Sequence, residues 1–95
     1  MKTMFSEYAD TARKYNETLS LWEYHGKSHN DRLADMSLYG ALVRMSAFED
    51  AARTLGVKYE FVEGDDGYIE KVVSTVIKDG AAHTSVTIYI KGATE

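Results

Sequence analysis

The hydrophobic period of this chain changes once, at Gly56, and no other feature constrains its fold as strongly. Before Gly56, apolar residues recur every three or four positions; after it they alternate with polar ones. The first spacing belongs to helices and the second to strands, so a helical half precedes a sheet half. Phe5, Tyr8, Ala12, Tyr15, Leu19 and Trp22 form one stripe, which predicts a helix over about residues 4–24. It should start near Thr3 or Ser6, with Glu7 at its positive end. His25-Gly26-Lys27-Ser28-His29-Asn30 breaks the pattern as a loop, and Ser28 with Asp31 resembles a capping box. Met36, Val43 and Ala47, flanked by Leu38, Leu42, Met45, Phe48, Ala52 and Leu55, predict a second helix over about 31–55. Its wide apolar face makes it the more buried of the two. Gly56 suits the left-handed position that ends a helix.

Val57, Tyr59 and Phe61 alternate with Lys58 and Glu60, predicting a strand over about 57–62. Asp65-Asp66-Gly67 fits a three-residue hairpin loop, and Asp79-Gly80 fits a two-residue turn. Further strands are expected over about 68–78 and 82–91. Counting outward from each turn pairs Phe61 with Lys71 and Tyr59 with Val73 in the first hairpin, and Ile77 with Ala82 and Val73 with Val86 in the second. Both registers put Val57, Tyr59, Phe61, Ile69, Val73, Ile77, Val86, Ile88 and Ile90 on one face. With the helical hairpin covering that face, residues 1–95 form a single two-layer α+β domain of order ααβββ. The other face then carries Val62, Tyr68, Val72, Val76, Thr87 and Tyr89 among polar residues. The third strand is an edge with neither proline nor an inward-pointing charge to block pairing. Homodimer formation through Val72, Val76, Thr87 and Tyr89 is therefore expected, against a monomer whose terminus covers the edge.

Composition limits the chemistry. The chain has no cysteine, which removes disulfides, thiolate metal sites and cysteine nucleophiles. Eleven Lys+Arg face fifteen Asp+Glu, a net charge of −4, and the basic residues are scattered, so nucleic-acid binding is disfavoured. No apolar run is long enough to span a membrane and no leader-like segment opens the sequence, so a cytoplasmic location is expected. His25 and His29 have the spacing of a helical metal pair, but Gly26 lies between them and exposed loop histidines explain them more simply. His83 falls on the outer sheet face, where packing beside a strand neighbour is expected. Gly26-Lys27-Ser28 lacks the earlier glycine of a phosphate loop, because Leu21 holds that place. Glu60, Glu63, Asp65 and Asp66 do not follow the ligand spacing of a calcium loop. No serine sits in a nucleophile elbow.

What remains points to binding without catalysis, metal or cofactor. Glu60, Glu63, Asp65, Asp66 and Glu70 gather around the first sheet turn, where they would attract a protein with a basic face. Solvation of an ordinary hairpin tip explains the same acids. Trp22, Tyr24 and Tyr39 lie near the interhelical loop and suit a contact patch, although a core role competes there too. The expected function is an acidic protein-binding module. Its size and charge are shared with phage and mobile-element inhibitors of host defence nucleases, an association weaker than a motif. A small-molecule or nucleotide sensor, with its pocket between helices and sheet or at a dimer seam, is the alternative.

Overall fold

A computed structural model describes residues 3–24 and 31–90, with backbone alone for 24 and 31–37. Its elements run α1 (Met4–Tyr24), α2 (Asp31–Thr54), β1 (Val57–Glu63), β2 (Ile69–Lys78) and β3 (Ala81–Tyr89). The two helices form an antiparallel pair on one side of an open antiparallel sheet ordered β1-β2-β3, the expected two-layer α+β arrangement. Thr3 caps α1, its hydroxyl accepting from the Ser6 amide at 3.0 Å. Gly56 ends α2 at a φ of 79°, its amide donating to Arg53 at 3.0 Å. The Gly56 carbonyl then accepts from the Ile77 amide, so the helix stop also begins the sheet.

The core joins Tyr8, Ala9 and Ala12 of α1 to Met45 of α2 and to Ile69 and Val72 of β2. Phe5, Tyr15, Phe48, Tyr59, Phe61, Ile88 and Ile90 surround it. The rings of Tyr8 and Tyr59 meet at 5.1 Å and those of Phe5 and Tyr59 at 5.2 Å. Among the residues whose side chains are described, the expectation that α2 is the more buried helix is not met. Val43, Ala47 and Leu55 are exposed, whereas α1 buries Tyr8, Ala9, Ala12 and Leu19. The cause is placement: α1 lies on the central strand β2, and α2 on the edge strand β1.

Both turns form where the sequence places them. Asp79 and Gly80 take φ values of 54° and 78°, joining the paired residues Lys78 and Ala81. Gly67 takes 85° in the first hairpin. The registers counted outward from these turns fail, because each hairpin carries a bulge near its turn. Glu63 pairs with Ile69 but Val62 pairs with Lys71, leaving Glu70 as the extra residue. Ile77 pairs with Ala82 but Val76 pairs with Thr84, leaving His83 extra. Between the bulges β2 is turned over relative to expectation. Val72, Ser74 and Val76 share the helix side with Phe61, Tyr59 and Val57, while Val73 faces away. Val72 is fully buried beneath α1, so its expected part in an outer dimer face is withdrawn. Val76 also shares the helix-side register, though it lies toward the open end and stays exposed.

Candidate functional site

The acids that the sequence groups together are parted by the first hairpin. Glu60 alternates with the inward Tyr59 and Phe61, so it faces away from the helices. Glu63 pairs with inward Ile69 and lies close enough to Tyr15 that its charge, added to burial, raises the phenol above its ordinary range. Asp66 accepts from the Tyr68 amide at 3.0 Å and thereby builds the turn. Glu70 folds back over the loop, where a Cβ on Gly64 would collide with its carboxylate. Asp65 stays exposed at the tip. Tyr68 ties this hairpin to the end of α1, donating to Glu23 at 2.8 Å, and partial burial with this bond raises its phenol. The result is a braced turn with Asp65 and Asp66 at its tip and Glu60, Glu63 and Glu70 on the strands beside it, all five exposed.

Of the aromatic candidates, Tyr39 is exposed on α2 and Trp22 is half-buried on α1. The side chain of Tyr24 lies outside the described residues, as do His25 and His29. Among the described residues, no group of three or more His, Asp or Glu side chains is placed to hold a metal ion. His83, at the second bulge, sits 3.0 Å from the Thr84 hydroxyl.

Compared with family models, curated proteins and solved structures, this chain matches none.

The face of the sheet turned away from the helices forms a polar grid. Lys71 lies 5.8 Å from the ring centre of its cross-strand partner Tyr89, and Thr75 lies 3.3 Å from Ser85. Lys58 approaches Glu60 to 3.9 Å. With Val72 and Val76 on the other side, Val62, Val73 and Ile77 are the aliphatic residues that β1 and β2 present here. Thr87 and Tyr89 belong to β3, which is exposed along its length apart from Ile88.

The space between helices and sheet is filled by Tyr8, Met45, Ile69 and Val72. A groove of about 590 Å³ lies instead between the helices, lined by Lys14, Thr11, Gly40, Arg44 and Phe48 among others. A second cavity of about 500 Å³ lies where α2 meets β1, beside Glu49, Arg53 and Tyr59. Sequence reasoning missed Glu49, which accepts the buried Tyr8 hydroxyl at 2.6 Å. It missed Asn16 too, whose side-chain amide bonds the main chain of Ile69. A polar residue beside a helical stripe reads as solvated unless its partner's place in space is known. No helix among the described residues is long and apolar enough to cross a membrane.

Proposed function

We propose that this chain is a cytoplasmic protein-binding module that acts without catalysis, and that its acidic turn engages the basic face of a partner protein. One observation carries the reading: the turn is braced from both sides, by Asp66 on the Tyr68 amide and by Tyr68 on Glu23, while Asp65 is left exposed. A preorganised charged tip costs less ordering on association than a flexible one. Inhibition of a defence nuclease is the narrower form of the proposal. Its test is a titration of basic nuclease complexes with the native chain and with Asp65→Lys and Glu60→Lys, at two salt concentrations. Asp66 is left intact because it builds the turn. Charge reversal should weaken binding at least tenfold and flatten its salt dependence; unchanged affinity in both variants removes the acidic turn from the mechanism.

The groove between the helices favours a second reading, a small-ligand sensor, because charged side chains of both signs, Lys14 and Arg44 with Glu7 and Asp10, line it. A ligand that binds only the folded chain raises its melting temperature. A flat response across nucleotides, second messengers and divalent cations would discard this reading.

A further inference from the structure

Among the described residues, the sheet has two unpaired edges of opposite character. β1 carries Lys58, Glu60 and Glu63, charges of the kind that keep an edge from pairing. β3, Ala81–Tyr89, has no Lys, Arg, Asp or Glu, and the chain has no proline to interrupt it. The helices sit on β1 and β2, so β3 extends past their cover with Val86 54% exposed. The Ile90 amide donates to the Glu70 carbonyl at 2.8 Å, which fixes which side of the ladder each β3 residue serves. Antiparallel ladders alternate, so Val86 and Ile88 bond to β2, while Ser85, Thr87 and Tyr89 turn their N–H and C=O groups to the open edge. Unpaired main-chain groups along a neutral strand are a template for another strand.

We propose that a second copy of this chain pairs antiparallel along β3, with the two-fold axis at Thr87, giving a continuous six-stranded sheet. The register follows from the pattern of open groups. Centred on Thr87, the strand sets Thr87 against itself and Ser85 against Tyr89 of the second copy. The open N–H and C=O groups of all three residues are then bonded. The intervening pair brings Val86 onto Ile88 of the second copy on the helix side, covering the exposed valine. The geometry keeps the repulsion between two like-charged chains small. Each chain bears −4, and the two-fold axis sends the two Asp65-Asp66 turns to opposite ends of the joined sheet. The bulge at His83 limits the paired stretch on the far side of the axis.

This inference rests on the reading of the chain as a protein-binding module but uses a different surface, so the two can fail separately. The test is the solution mass of the full chain by light scattering over a concentration series, for the native protein and for Thr87→Pro. The Thr87 amide points out of the ladder with β2, so proline there removes an edge donor without taking a bond from the fold. The native chain should show twice its 10.7 kDa mass, and Thr87→Pro should show half the native value with an unchanged circular dichroism spectrum. If Thr87→Pro does not fold, Thr87→Cys replaces it, because the chain has no other thiol. A short bis-maleimide should cross-link the Thr87→Cys chain efficiently, and a Tyr39→Cys chain, altered at an exposed site on α2, poorly. A monomeric native chain overturns the inference, as does a Thr87→Pro dimer or equal cross-linking of the two thiol variants. Binding of basic proteins by Asp65 is untouched by any of these results.

Discussion

The side-chain amide of Asn16 grips the main chain of Ile69 at two points, donating to its carbonyl and accepting from its amide, each at 2.9 Å. Ile69 is fully buried and stands next to the Glu70 bulge, where the regular ladder is interrupted. A helix side chain thus does at this position what a neighbouring strand does elsewhere.

Asn16→Ala should cost about 2–3 kcal/mol. Two modest hydrogen bonds are lost, and a buried amide and carbonyl are left without partners. Asn16→Asp should recover part of the loss by keeping the acceptor for the Ile69 amide. Urea midpoints at constant m-value measure both; a loss below about 0.5 kcal/mol for Asn16→Ala would mean the clasp is not holding α1 to β2.

The phase of β2 can be read from adjacent valines. Val72→Ala should cost about 2 kcal/mol, because it opens a cavity under Tyr8 and Met45. Val73→Ala, on the opposite face, should cost less than half as much. The reverse order would restore the register counted from the turns.

These two valines also explain where the sequence was legible and where it was not. Element bounds follow from period and turn chemistry: Thr3, Gly56, Gly67 and Asp79-Gly80 each act through a local backbone demand visible in one chain. The face of β2 depends on bulges that leave no comparable mark. Val72-Ser74-Val76 and Val73-Thr75-Ile77 are both acceptable inward sets, so the tandem valines do not choose between them. The shifts at Glu70 and His83 act in opposite senses across β2, which leaves β1 and β3 in their expected mutual phase. Agreement between the two counted registers therefore did not test the middle strand. At the candidate site, exposed Asp65 was readable, but the structural use of Asp66 and Glu70 needed the folded turn.

Alkaline pH should weaken the fold through Tyr8. Burial, reinforced by the bond to Glu49, lifts its phenol well above its ordinary 10.0, so the folded chain holds a proton that the unfolded chain releases. A raised folded value gives stability that is complete below about pH 10 and declines above it. One pH unit beyond that point removes about 1.4 kcal/mol through this residue. Tyr15, Tyr59 and Tyr68 shift in the same direction. Tyr8→Phe should cost about 1–2 kcal/mol at pH 7 and make stability fall less steeply between about pH 10 and 11, as measured by urea unfolding across that range.

Gly40 lies within α2, is exposed, and would meet nothing within 4 Å if given a Cβ. Gly40→Ala should therefore stabilise by about 0.5–1 kcal/mol. Gly56→Ala should destabilise by about 1–2 kcal/mol, because Gly56 has a φ of 79°. Thermal unfolding of the pair checks the contrast. A destabilising Gly40→Ala would indicate that the groove between the helices closes more tightly than its open floor implies.

Most neighbours in space here are neighbours along the chain: α1 with α2, α2 with β1, β1 with β2, and β2 with β3. The seat of α1 on β2 is the exception, and Asn16 reaches Ile69 across 53 positions. Contacts between chain neighbours close small loops and form early, whereas this one must wait until the first sheet hairpin exists. The seating of α1 on β2 is therefore expected late in folding and its release early in unfolding. Loosening the Asn16 clasp should then shorten the lifetime of the folded chain several-fold while leaving its folding rate almost unchanged.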